Sequence, residues 1–316
     1  MISGIRVLLK LITSPFSLMK QRTITQEACI SGTGIHSGCK SAVRFLPADV
    51  NTGIRFVRMD LQNSPVISAE LKNVCDTERA TSLACKDAKV RTVEHLMSAV
   101  FGLGISNLRI ELDGEEIPIL DGSSKIYCDL LTSCGLTEQS GELKRHIIQK
   151  ELSFLGKKNG SLIKASPCDT FQISYHLNYA DTIKQSYTYK FSPETYYSEI
   201  APARTFSLLS ELEYLLDKGL LSGIKEAEGF AVVDDNAKID DFTKKFDVNM
   251  NEFLHTGDGL SIIGKEKLRF PDEMARHKIL DIIGDFALSG HYIQGHIEAF
   301  GTGHAENIAL LRKILS

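Results

Sequence analysis

The hydrophobic pattern changes period several times along the 316 residues, and each change marks an element. From Ile24 to Leu83, short alternating segments such as Ala42-Val43-Arg44-Phe45 sit between Gly, Pro and Asn turns, the pattern of half-buried strands. Val93, Leu96, Met97, Val100 and Leu103 then recur at helical spacing. Thr92 is placed to cap the start and Gly102 and Gly104 to close the end, which predicts a helix over about 92 to 103. A strand at 108–112 follows, then the turn Leu120-Asp121-Gly122-Ser123, then a second periodic segment ending near Cys134-Gly135.

The second half repeats this order. After a strand-rich stretch over about 145 to 192, Pro271 opens a helix with Asp272 and Glu273 in its first turn, and Gly290 closes it. A strand over 293–300, the glycine turn Gly301-Thr302-Gly303-His304 and a terminal helix through Leu311 and Ile314 complete the chain. His95 to Asp121 spans 26 residues and His277 to His304 spans 27. Matching order and spacing predict an α+β protein of two homologous domains, 23–142 and 143–316, with the boundary at Gly141-Glu142. Within the second, residues 205–234 read as an inserted β-α-β-like unit, with Leu208, Leu212, Leu215 and Leu216 on a short helix and a strand at 229–233. Residues 236–262 read as a polar loop excursion.

Composition narrows the class. A 43% hydrophobic and 24% charged content is that of a globular chain. The longest greasy stretch, near the N-terminus, is broken by Arg6 and Lys10, so no membrane span is predicted. A net charge of −4 excludes an electrostatic nucleic-acid binder. The seven cysteines are scattered without CxxC spacing, which fits a reducing compartment and argues against a disulfide framework or a cysteine zinc knuckle. In residues 1–22, Arg6, Lys10, Lys20 and Arg22 precede any acid and Ser3, Ser14 and Ser17 are interspersed. This is the composition of a disordered bacterial N-terminus or of a mitochondrial presequence.

The polar faces of the long helices carry the candidate chemistry. At about 100° per residue, Ile279, Leu280, Ile282, Ile283, Phe286 and Ala287 form one face of the helix after Pro271, and His277, Lys278, Asp281 and Asp285 the other. His277 and Asp281, at i and i+4, can close on one ion, and an imidazole with a carboxylate suits zinc. Glu94 and His95 lie off the apolar stripe of the other helix. If the helix layers face each other they supply a third ligand and a free carboxylate, which is the catalytic arrangement of three protein ligands and one open position. A carboxylate beside a zinc histidine is also the logic of HExxH. The ordinary reading of an HxxxD pair is a solvated ion pair. What raises this one is its place in a duplicated pattern with His304 one strand later. His36 reads as a turn residue, and His146, His176, His255, His291 and His296 carry no signal.

Several longer motifs resemble a known family. Thr92-Val93-Glu94-His95-Leu96-Met97-Ser98-Ala99, Ile117-Pro118-Ile119-Leu120-Asp121-Gly122-Ser123-Ser124, Ala203-Arg204-Thr205-Phe206 and Arg276-His277-Lys278-Ile279-Leu280-Asp281-Ile282-Ile283-Gly284-Asp285, in this order, are similar to the UDP-3-O-acyl-N-acetylglucosamine deacetylases of lipid A synthesis. Gly34-Ile35-His36-Ser37-Gly38 and Gly303-His304-Ala305 also fit. The resemblance runs from about residue 21 to the C-terminus. It implies two domains, each a β-sheet with two helices, packed with their helix layers face to face and the active site between. It further implies one zinc ion per chain on His95, His277 and Asp281, Glu94 as general base, and His304 as general acid or oxyanion stabiliser oriented by Asp285. Thr205 and Lys278 take the positions that steady the tetrahedral intermediate and contact the substrate.

The implied reaction is hydrolysis of the N-acetyl amide of an acylated UDP-sugar by a monomeric bacterial cytoplasmic enzyme, or an organellar one if residues 1–22 are a presequence. Its acyl chain is expected along Phe206, Leu208, Leu212, Leu221 and Gly223. Alternatives are a zinc amidohydrolase on another acylated amino sugar and a non-catalytic zinc or sugar-nucleotide binding protein. The chain departs from the family pattern at Leu177-Asn178-Tyr179-Ala180, where an Asn/Pro-His-Pro stretch is usual, in the length of 236–262, and in its N-terminal extension.

Overall fold

The computed structural model describes residues 20–157, 160–179, 182–212, 229–234, 237, 239, 253–256 and 260–316. Two five-strand paths dominate it. The first runs through β1 (Ala28–Thr33), β2 (Lys40–Pro47), β3 (Ile54–Arg58), β4 (Val66–Ser68) and β5 (Leu108–Leu112), in spatial order β1-β2-β5-β3-β4. The second runs through β6 (Leu152–Leu155), β7 (Leu162–Ser166), β8 (Phe171–Tyr179), β9 (Ile183–Lys190) and β10 (Tyr292–Phe300), in order β6-β7-β10-β8-β9. Directions match as well. In each sheet the last strand is central, antiparallel to the second and parallel to the third. The repeat inferred from element order is therefore a repeat of topology.

Alternation builds each sheet's inner face. On β5, Leu108, Ile110 and Leu112 are buried while Arg109 and Glu111 point outward; on β10, Ile293, Ile297 and Ala299 are buried. Two helices cover each inner face: α1 (Glu94–Gly102) and α2 (Lys125–Ser133), then α3 (Glu273–Ala287) and α4 (His304–Leu315). Ile279, Leu280, Ile282, Ile283 and Phe286 of α3 are fully buried, each side chain contributing about 1.5 to 3 kcal/mol. The opposite face of α3 packs on α1. At Gly284 the crossing is so close that a Cβ would stand 2.0 Å from the Glu94 carbonyl oxygen. Gly in a helix interior costs about 1 kcal/mol relative to Ala, and here it permits the approach that closes the two helix layers.

Some boundaries differ from expectation. Helix α1 begins at Glu94 after Val93, and Thr92 does not cap it. Thr92 is instead left-handed, with φ of 58°, and its hydroxyl donates to Glu116. Strand pairing begins inside the supposed N-terminal extension, because Lys20–Ile24 pairs antiparallel with Leu136–Glu142. The polar excursion contains two strands, Phe253–His255 and Ser261–Ile263. They join Phe206–Leu208 and Phe230–Val232 in one four-stranded sheet, so the insert and the excursion form one unit. Its strands are three residues each, too short for alternation to declare them among polar neighbours. The first two run parallel, as a β-α-β unit requires.

Candidate metal centre between the two helix layers

The α1–α3 crossing brings His95, His277 and Asp281 together. Their candidate ligand atoms all lie within 4.8 Å of one another, the one such group among the described residues. Asp281 Oδ1 stands 3.5 Å from His277 Nε2 and 3.7 Å from His95 Nε2. Atoms bound to zinc at about 2.0 to 2.2 Å stand about 3.3 to 3.6 Å apart at the corners of a tetrahedron, close to the separation of Asp281 Oδ1 from each imidazole. Asp281 Oδ1 is buried with no hydrogen-bond partner, a state that costs free energy unless a cation satisfies it. The residues present fit the ion that the resemblance implies.

Protonation states favour it too. Burial, reinforced by the neighbouring His277, holds the His95 imidazole down at about 3, and burial also lowers His277. Asp281 is held below the usual carboxylate range: burial opposes ionisation, but Lys278 and the surrounding imidazoles outweigh it. Neutral imidazoles and an ionised carboxylate are the forms that bind metal. His277 Nδ1–H donates to the Ala203 carbonyl at 3.1 Å, which fixes the tautomer and leaves Nε2 as the ligand atom. The ring of His95 meets that of His277 edge-on at 5.0 Å.

Glu94 and His304 flank the triad. Burial pushes the Glu94 carboxyl up to about 7, against the attraction of His304. His304 opens α4, and its Nδ1–H donates to Asp285 Oδ2 at 2.9 Å. Burial would lower this imidazole, but Asp285, with help from Glu94, raises it to about 10. Its Nε2 faces Glu94 Oε1 at 3.9 Å. A carboxyl poised near neutrality thus lies beside a cationic imidazole, the pairing that general acid–base chemistry uses.

The remaining predicted residues fall around this core. Lys278 Nζ bonds Asp281 Oδ2 at 3.0 Å and lies 5.5 Å from the Phe206 ring centroid. Thr205 N–H donates to the Gly122 carbonyl at 2.7 Å, joining the insert to the 120–123 turn. Phe206 meets His277 edge-on at 6.2 Å, stacks on Phe230 and borders Tyr179. Leu208 packs in the main core. Leu212 lies in a smaller apolar cluster with Ile35, Ile119, Leu209, Ala231 and Ile263. Leu221 and Gly223, with Leu215 and Leu216, lie outside the described residues.

His36 is indeed in a turn, closed by Gly38 N–H to the Gly34 carbonyl at 3.0 Å, and its ring is buried and held below its ordinary value. The buried Glu116 anchors that turn by accepting from the N–H groups of His36 and Ser37 at 2.9 and 2.7 Å.

Sequence reasoning missed several supports. Asp285 Oδ2 also accepts from Asn307 Nδ2 at 2.9 Å, and Asp285 Oδ1 from the Thr81 hydroxyl at 2.6 Å. Arg204, within the motif Ala203-Arg204-Thr205-Phe206, is buried in a bidentate pair with Glu273, at 2.8 and 3.2 Å, and also donates to the Lys267 carbonyl. The pair pins Ala203, whose carbonyl orients His277, to the first turn of α3. Arg269 ties Asp121 of the first half to the second at 2.9 Å. None has a periodic signal; an Asn at i+3 from His304 was the only local hint.

Comparison with known proteins shows the family. The family profile of UDP-3-O-acyl N-acetylglycosamine deacetylases matches residues 21–316. The UDP-3-O-acyl-N-acetylglucosamine deacetylase of Myxococcus xanthus is 39% identical over 95% of this chain and 88% of its own length. That of Chlamydia trachomatis is 38% identical over 93% of this chain and 94% of its own length. A protein of Chlorobaculum tepidum named as a bifunctional LpxC/FabZ enzyme is 34% identical over 94% of this chain and 64% of its own length. This chain belongs to the UDP-3-O-acyl-N-acetylglucosamine deacetylase family.

Proposed function

We propose that the protein hydrolyses the N-acetyl amide of UDP-3-O-(3-hydroxyacyl)-N-acetylglucosamine, releasing acetate and the free 2-amino sugar nucleotide for lipid A synthesis. One zinc ion on His95, His277 and Asp281 would supply a Lewis acid and a water acidic enough to react near neutral pH. Glu94, with its carboxyl near 7, accepts the water proton as the amide carbonyl is attacked. His304 stays cationic through neutral pH, places positive charge beside the developing oxyanion, and donates a proton to the departing amine. Asp285 accepts from His304 Nδ1–H and so orients the ring with Nε2–H toward Glu94. Thr205 and Lys278 are assigned to the oxyanion and the substrate.

The observation that carries this reading is the acid–base pair Glu94–His304 beside the triad. A metal held only for structure needs neither, and its site would be closed by a fourth protein ligand. The acyl chain is assigned to the insert, along Phe206, Leu208, Leu212, Leu221 and Gly223, where each CH₂ buried is worth about 0.8 kcal/mol. We place the enzyme in the bacterial cytoplasm as a monomer. The bacterial relatives support that compartment, and among the described residues no helix is long and apolar enough to cross a membrane.

The test is acetate release from the 3-O-acylated sugar nucleotide against UDP-N-acetylglucosamine itself. Strong preference for the acylated substrate is expected. Equal kcat/KM for the two would favour an amidohydrolase for a non-lipidated amino sugar.

A further inference from the structure

Thr81 is fully buried, and all three of its polar groups are bonded, two of them to site residues. Its backbone N–H donates to Glu94 Oε2 at 3.0 Å. Its carbonyl accepts the N–H of Val93, the residue that opens α1, at 3.2 Å. Its hydroxyl donates to Asp285 Oδ1 at 2.6 Å, and that oxygen receives no other side-chain bond among the described residues. One residue from the first half thus touches, through its backbone N–H, the carboxyl assigned as base and, through its hydroxyl, the carboxylate that aims the cationic imidazole on the second.

We infer that Thr81 is a positioning residue that sets the mutual geometry of Glu94 and His304. This rests on the roles proposed for that pair. A carboxylate gripped at Oδ2 alone, by His304 and Asn307, can still rotate about its Cβ–Cγ bond. The short bond at Oδ1 removes that freedom and with it the freedom of the His304 ring. The same residue fixes Glu94 Oε2 through the backbone, which leaves Oε1 to face His304 Nε2. Because hydroxyl and N–H belong to one residue, the two halves of the acid–base pair share a single reference point across the α1–α3 crossing. Support from residues behind the reacting groups is commonly worth about 10- to 100-fold in activity.

The test compares Thr81→Val, which keeps shape and backbone but loses the hydroxyl, with Thr81→Ser, which keeps the hydroxyl. In the zinc-loaded enzyme Thr81→Val is expected to lower kcat by about tenfold or more, with KM and zinc content unchanged, and Thr81→Ser to recover most of it. A second readout needs no turnover. The low-field proton resonance of His304 Nδ1–H, identified by its loss in His304→Gln, should move in Thr81→Val and return in Thr81→Ser. If wild-type protein fails to release acetate, the proposed reaction falls while the resonance still tests Thr81. If Thr81→Val does not fold, Thr81→Ala against Thr81→Ser poses the same question. Wild-type kcat with an unmoved resonance in Thr81→Val, or a Thr81→Ser variant as impaired as Thr81→Val, would overturn the inference.

Discussion

The two halves of the molecule share one strand order and one arrangement of helices, yet they are loaded differently. The first half contributes Glu94 and His95 from the opening turn of a nine-residue helix. The second contributes His277, Lys278, Asp281 and Asp285 along fifteen residues of α3, and His304 from the start of α4. The contrast is sharpest at the turn after the central strand. Where the second half places the cationic His304, the first places Asp121, buried and bonded to Ser123 and to Arg269 of the other half. One copy of the turn sets His304 against Asp285 beside the candidate metal centre, and the other ties the two copies together through Arg269. A duplicated scaffold thus carries different side chains at equivalent places in its two copies.

The largest effect should come from removing what the halves share. His277→Ala should abolish stoichiometric zinc and lower turnover by more than about 10³-fold, since a Lewis acid and its water contribute several kcal/mol. Full zinc content in a variant lacking all three ligands would break the account of the crossing. Glu94→Gln tests the first half's separate role: zinc should stay while turnover falls by about 10²-fold or more. Near wild-type turnover would remove Glu94 as base.

Next in size are effects on the frame. Arg204→Met leaves Glu273 as an uncompensated buried charge and should cost about 3 to 5 kcal/mol in denaturant unfolding. Gly284→Ala should cost about 1 to 3 kcal/mol by driving a methyl group into the Glu94 carbonyl, and should lower kcat by shifting α1 against α3. An unchanged midpoint in either variant would show that the halves are not held as described.

A further effect concerns pH. His304 is raised in the fold from 6.5 to about 10, so its contribution to stability is whole below pH 6.5 and is lost as pH rises through about 10. Metal-free wild-type protein should therefore lose stability over that interval relative to His304→Gln, measured by denaturant midpoints at several pH values. Parallel curves would contradict a cationic His304 in the fold.

Much of the fold and of the candidate site is legible in the sequence, for identifiable reasons. The i, i+4 spacing of His277 and Asp281 on a polar helix face, and an acid next to a histidine on the facing helix, are local patterns with helical geometry behind them. The motif resemblance extended them to His304, Asp285, Thr205 and Lys278. What stayed hidden depends on partners distant in sequence. Thr81 and Asp285 are 204 residues apart, and a lone threonine in a strand region gives no sign of the carboxylate it meets. Arg204 was visible within a motif, but nothing local distinguishes a guanidinium that meets substrate from one buried against Glu273. Thr92 looked like a cap because its residue type suits one, whereas the buried Glu116 claims its hydroxyl.

The central claim is that the crossing of α1 and α3 holds one zinc ion on which amide hydrolysis depends. Its most direct test is acetate release from the 3-O-acylated UDP-sugar by protein as purified, after chelation, and after return of zinc, with metal content measured in each sample. The account predicts about one zinc per chain, loss of turnover with the metal, and recovery when zinc is restored. Undiminished turnover by chelated protein shown to contain no metal would contradict it.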